Sequence, residues 1–126
     1  MEKLASCSAI AFVPTTNLSR ARAFYEKALG LRIVEQNTYA CVAEIGATML
    51  RITAVDQVAN PGYTVLGWSV ADIDATISEL QTSGVNFVHY DAMAQDANGV
   101  WTTPGGDKVA WFNDPDGNIL SLTQFV

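Results

Sequence analysis

One pattern is written twice along this chain. Asn17-Leu18-Ser19 opens an amphipathic segment that stops at Gly30 and runs into Leu31-Arg32-Ile33-Val34. Asp72-Ile73-Asp74 opens another, which stops at Gly84 and runs into Val85-Asn86-Phe87-Val88. Asn and Asp start helices well because a side-chain oxygen accepts an otherwise unpaired N–H of the first turn, and Gly suits the left-handed position that ends one. A 126-residue chain with two copies of strand, capped helix and further strands reads as a duplication. The expectation is that a ligand sits at the seam between the copies.

The spacing predicts a first strand over 7–15, with Pro14 suiting an edge or a strand terminus. In the first helix Leu18, Ala21, Phe24, Tyr25, Ala28 and Leu29 form one apolar stripe. Three strands are expected at about 31–37, 39–45 and 47–54, the last two as a hairpin through Ile45-Gly46-Ala47. That makes module one, about 7–54, of order βαβββ. Residues 55–62 lose periodicity, end in Asn60-Pro61-Gly62 and read as the connector. Module two, about 63–126, begins with a strand from Tyr63 to Val70. A helix follows with Ile73, Ile77 and Leu80 on one face, and then a strand from Val85 to Tyr90. After a loop at 91–107, Lys108 to Asn113 and Asn118 to Phe125 form a hairpin across Asp114-Pro115-Asp116-Gly117, where proline pre-sets φ and glycine takes the left-handed position.

Composition narrows the function classes. A chain of 126 residues fits a single domain, 1–126, that buries roughly two thirds of its unfolded surface and needs no disulfide or metal staple. Hydrophobic residues make up 49% and charged residues 16%, as in a globular protein, and apolar runs such as Ala9 to Val13 fall far short of the ~20 residues of a membrane span. Residues 1 to 13 read as a first strand rather than a secretory signal, so the expected location is cytoplasmic. Thirteen acidic against seven basic side chains give a net charge of −6, which argues against nucleic-acid and anionic-membrane partners. Cys7 and Cys41 lack CxxC spacing and are expected to be buried, reduced thiols.

Asn17 to Tyr25 with Leu29-Gly30-Leu31, and Trp111-Phe112-Asn113-Asp114-Pro115-Asp116-Gly117-Asn118, are the two most distinctive stretches. Together they resemble the vicinal oxygen chelate superfamily, which contains glyoxalase I, extradiol dioxygenases, fosfomycin-resistance enzymes and bleomycin-binding proteins. The resemblance covers essentially the whole chain and implies an α+β fold: two βαβββ modules forming a curved eight-stranded sheet around a cleft. In the metal-using members four side chains, usually His, Glu or Gln, point into that cleft from the first and last strand of each module. They hold a divalent cation that acts as a Lewis acid.

Carried onto this chain, those positions are Ile10 and Val65, each seven residues before a helix cap, with Arg51 and Ser121 at the two Glu positions. Ile and Val have no lone pair to donate, and an always-charged guanidinium repels a cation. A shift by one residue does not restore donors, because apolar residues and Thr64 flank the four. The expectation is therefore no metal and no other cofactor, and an enzyme assignment that leans to no. The metal-free relatives are binders, such as the bleomycin-resistance proteins that sequester a drug at a dimer interface. The leading reading is a metal-independent binder of a small organic ligand, in drug sequestration or detoxification, working as a homodimer. The alternative is a glyoxalase-like lyase or isomerase, or a dioxygenase-related enzyme, with a non-standard site.

Strand alternation places Ser8, Ile10 and Phe12; Met49, Arg51 and Thr53; Tyr63, Val65, Gly67 and Ser69; and Ile119, Ser121 and Thr123 on the faces the resemblance turns to the cleft. The expected ligand-binding residues are Arg51, Ser121, Phe12, Met49, Tyr63 and Trp101. Arg51 reads either as an anchor for a carboxylate or enolate, or as one half of an ion pair with Glu44 or Glu35. Trp101 either flanks the cleft or simply packs, and Trp68, of opposite parity, is expected in the core beneath the second helix. His89, the single histidine, has no partnering acid nearby in sequence and reads as a partly exposed strand residue rather than a catalyst.

Overall fold

Each repeat folds into a four-stranded mixed sheet with one capped helix. The structure, a computed structural model, describes residues 2–126, so Met1 of the expected 1–126 domain lies outside the described residues. The chain divides into two compact units, Met1–Val58 and Ala59–Val126.

In the first unit the strands are β1 (Ile10–Thr15), β2 (Arg32–Gln36), β3 (Ala40–Ile45) and β4 (Thr48–Ala54), in spatial order β1-β4-β3-β2. β1 runs parallel to β4, and the others are antiparallel. Helix α1 (Leu18–Ala23) is capped by Asn17, whose Oδ1 accepts the Arg20 N–H at 3.0 Å. It continues into a π-helical turn, Phe24–Ala28, where the Leu29 N–H reaches the Phe24 carbonyl. This turn ends at Gly30, whose φ of 73° is the expected left-handed stop. The helical segment buries Ala21 and Tyr25 on a sheet face made of Val13, Cys41, Leu50 and Ile52.

In the second unit β5 (Thr64–Ser69), β6 (Trp101–Thr102), β7 (Lys108–Asn113) and β8 (Ile119–Gln124) stand in the order β5-β8-β7-β6. Helix α2 (Ile73–Thr82) is capped by Asp72, which accepts the Ala75 N–H at 3.1 Å. Ile73 and Ile77 are buried, as are Val85, Ala110, Phe112, Leu120 and Leu122. Trp68 shares the Leu122 face and stacks on Phe112 with ring centroids 6.3 Å apart, but it is half-buried rather than in the core expected of it. The β7–β8 turn is closed by Asp114. Its Oδ1 accepts the Asp116 and Asn118 N–H groups at 2.9 Å, and its Oδ2 accepts the Asn118 side-chain amide at 2.8 Å.

Three further sequence expectations need correction. The first strand begins at Ile10, not at residue 7. A 3-10 turn, Leu4–Ser6, precedes it, so Ser8 lies outside the strand and Cys7 is exposed rather than buried, its thiol 3.4 Å from the Lys3 carbonyl. Cys41 is buried as expected.

Val85 to Tyr90 does not form a strand. Phe87 makes a single bridge to Phe112 and the Val88 N–H bonds the Trp111 carbonyl at 2.8 Å, while Trp101 and Thr102 take the Val109 and Lys108 positions. Two segments thus divide the six-residue edge of β7. The Gln95 side chain supplies what a strand partner would have supplied. Its Oε1 accepts the Tyr90 N–H at 2.6 Å and its Nε2 donates to the Val88 and Gly99 carbonyls at 3.0 and 2.7 Å. Backbone groups satisfied by a side chain have no need of a ladder. His89 is accordingly exposed and outside any strand.

Val65 is the third. The β5–β8 register passes from Thr64 opposite Ile119 to Gly67 opposite Ser121 with a shift between Thr64 and Leu66, so Val65 occupies the irregularity. A bulge carries one residue more than its partner strand and breaks the two-residue alternation.

Candidate functional site

The helices cover one face of each sheet, and the opposite face carries the expected ligand-binding residues. In the first unit Phe12, Arg51 and Val42 form one cross-strand row, and Ile10, Met49 and Glu44 form the next. Opposed side chains in such rows stand within reach of one another. Phe12 is 60% exposed, Ile10 49% and Met49 40%, an unusual exposure for large apolar groups on one sheet face. A groove of about 300 Å³ runs along this face past Val34, Val42, Glu44 and Met49. The structure therefore brings three of the predicted residues, Phe12, Met49 and Arg51, onto one surface.

Arg51 is half-buried in that apolar setting, and its side chain forms no ion pair or hydrogen bond among the described residues. The carboxylates that offered the structural reading are occupied elsewhere. Glu44 takes Arg32 at 3.3 Å, and Glu35 accepts the Asn37 side-chain amide at 3.5 Å. The guanidinium keeps its donors for something else.

In the second unit the corresponding row is Gly67, Ser121 and Trp111. Ser121 is 8% exposed and its hydroxyl has no hydrogen-bond partner among the described residues. Since no buried side-chain oxygen or nitrogen there lacks a partner, that oxygen still reaches solvent. Gly67 keeps the way open, because a Cβ at this position would stand 2.7 Å from Ser121 Oγ. Toward one end of the face, Tyr63, Tyr90, Met93, Trp111 and Ile119 line a hollow of about 210 Å³. Toward the other, Gly67, Trp68, Ser69, Thr123 and Phe125 line one of about 220 Å³. Tyr90 meets Trp111 edge-to-face at 5.7 Å, and Trp101 stacks on it at 6.4 Å. Two of the predicted residues, Tyr63 and Ser121, flank this aromatic surface, and Trp101 supports it through Trp111.

Trp111, Tyr90 and Met93 were not among the expected site residues. Trp111 was legible: on β7 it alternates with the buried Ala110 and Phe112, and parity alone turns it to the face that carries Ser121. Tyr90 and Met93 were not, because they lie in the irregular segment that Gln95 organises.

The four positions to which the resemblance carries the metal ligands of the metal-using relatives are Ile10, Arg51, Val65 and Ser121. Among the described residues no three His, Cys, Asp or Glu side chains converge. Divalent cations in such sites take imidazole, carboxylate or thiolate donors, and one hydroxyl does not replace them. The residues present do not fit the metal.

The profile of the Glyoxalase/Bleomycin resistance protein/Dioxygenase superfamily matches residues 7–122 of the sequence. The chain belongs to that superfamily. Among solved structures, this glyoxalase-superfamily chain is similar to lactoylglutathione lyase from Agrobacterium tumefaciens, with 18% identity, 94% of this chain and 93% of that one covered, and a TM-score of 0.73. It is also similar to a glyoxalase/bleomycin resistance protein/dioxygenase from Alicyclobacillus acidocaldarius, at 15% identity, 98% and 95% coverage and a TM-score of 0.72. A glyoxalase family protein from Enterococcus faecalis shares 22% identity over 92% and 94% of the chains with a TM-score of 0.69. At such identities the likeness establishes the fold of two βαβββ modules, not an activity. No curated protein matches the sequence.

Proposed function

We propose that this member of the glyoxalase superfamily is a metal-independent binder of a small organic ligand, of the bleomycin-resistance type, serving in sequestration or detoxification. The observation that carries the reading is the donor set: Ile10, Arg51, Val65 and Ser121 stand where a metal-using relative needs His, Glu or Gln. Metal-assisted proton transfer, oxygen insertion or epoxide opening would need a cation to polarise oxygen, and these side chains supply no seat for one. They do supply features of a binding surface, namely apolar and aromatic faces with a few unpaired polar groups. Arg51 binds an acidic group of the ligand, since a guanidinium presents a two-pronged donor fork to a carboxylate. Phe12 and Met49 offer apolar contact area on the first unit, and Tyr63 and Trp111 offer it on the second.

The protein works as a homodimer in this reading, supported by the exposure of Ile10, Phe12 and Met49 together on one sheet face. Light scattering checks that. Elemental analysis of purified protein, combined with a thermal-shift screen of small molecules, tests the function. The expected result is no stoichiometric metal and stabilisation by one chemical class of compound. A bound metal at one equivalent, whose removal abolishes a measurable turnover, would overturn the proposal in favour of an enzyme.

A further inference from the structure

We infer that the two hollows on the open face of the second unit are one elongated site, joined across Gly67. A ligand segment that lies there is uncharged, with an aromatic end against Trp111 and a hydrogen-bonding atom at its middle that meets Ser121 Oγ. This inference rests on the reading of the protein as a small-molecule binder and specifies what it binds.

Ile119, Ser121 and Thr123 alternate along one face of β8, with Ile119 in the aromatic hollow and Thr123 in the other, so Ser121 stands between the two. Any side chain opposite Ser121 on β5 would rise as a wall at this point. The chain has Gly67 there, although glycine weakens a strand interior and often marks a place where a ligand or another backbone comes close. Its φ is not in the left-handed region, so backbone conformation does not demand glycine. Space is what the glycine leaves, because a Cβ would stand 2.7 Å from Ser121 Oγ and turn that hydroxyl away from its present position.

Each hollow, at about 210 and 220 Å³, is smaller than the roughly 300–1,000 Å³ of ordinary small-molecule sites, whereas the two joined fall within it. No charged side chain lines either one. A charged group moved from water onto such a lining loses hydration without gaining a counter-ion, which favours a neutral ligand segment. The Ser121 hydroxyl, a donor and acceptor with no partner among the described residues, supplies the one central polar contact.

Fluorescence titration with two probes tests this. Prodan is a neutral, elongated naphthalene with a ketone that accepts a hydrogen bond, and naphthalene itself is short enough for the aromatic hollow alone. Prodan should bind the wild-type protein at least tenfold more tightly. Gly67→Val, which raises the wall in a strand-compatible side chain, should weaken prodan at least tenfold and leave naphthalene within twofold. Ser121→Ala should weaken prodan about fivefold, the usual loss for one neutral hydrogen bond, again without touching naphthalene.

Retained naphthalene binding shows that a variant has folded, and Gly67→Ala provides a milder wall should the valine disturb β5. Equal losses for both probes, or prodan unaffected by Gly67→Val, overturn the joined site, as does wild-type protein that prefers naphthalene. Tighter binding of a quaternary-ammonium naphthalene than of prodan overturns the uncharged assignment. Wild-type protein that binds no probe overturns this inference, while the unbiased thermal-shift screen decides the broader binder reading by itself.

Discussion

Arg51 is the residue whose substitution should separate binding from folding. It is half-buried on an apolar face and has no ion-pair partner among the described residues, so Arg51→Gln removes no internal ion pair or side-chain hydrogen bond and should shift unfolding free energy by less than about 0.5 kcal/mol. Affinity for a carboxylate-bearing hit from the thermal-shift screen should fall tenfold or more, measured by calorimetry. Asp114 behaves in the opposite way. It is buried and holds three donors of the β7–β8 turn, so Asp114→Ala should cost about 2–4 kcal/mol in urea melts while leaving metal content and ligand class unchanged.

The two cysteines differ in the same residue-level terms. Burial pushes the Cys41 thiol above its ordinary value, with Arg22 opposing and Glu26 adding to the rise. The unfolded chain therefore gives up this proton first. Stability is fully present below the ordinary thiol pKa of about 8.5 and declines as the pH rises past it. Wild-type protein should lose more stability between about pH 7 and pH 9.5 than Cys41→Ala does over the same range. Thiol titration of native protein should find Cys7 alone, with Cys41 reacting only after unfolding.

At the scale of elements, the helices and hairpins were legible and the edge of the second sheet was not. Asn17 and Asp72 cap their helices through contacts with residues three positions on, and Asp114 closes its turn within four, so short sequence windows contain the whole cause. Val85 to Tyr90 has the composition of a strand, yet its backbone is satisfied by Gln95, from a loop that periodicity cannot read. Gln95→Ala should accordingly expose this segment. Amide exchange at Tyr90 should rise at least tenfold while β3 and β4 stay protected, with a loss of about 1–3 kcal/mol in global stability. The bulge at Val65 belongs to the same class of hidden feature, because a single extra residue breaks the alternation without leaving a local mark: Thr64 comes to stand opposite Ile119, while Gly67 and Ser69 stand opposite Ser121 and Thr123.

At the scale of the whole molecule, the prediction that follows from the donor set is indifference to metal. Chelator treatment should leave the melting temperature unchanged within about 1 °C, and added zinc, nickel or manganese should not raise it, because a ligand stabilises only the state it binds. The two capped helices and the closing turn were determined by residues close in sequence, and the superfamily by motifs that count along it. Cross-strand neighbours depend instead on register, a long-range property. The tertiary structure alone decided that Arg51 stands without Glu44, that Gly67 faces Ser121, and that Tyr90 and Met93 join Trp111 around a hollow. Hydrogen-bond ladders and side-chain competition for backbone groups select among registers that the amino-acid pattern permits equally.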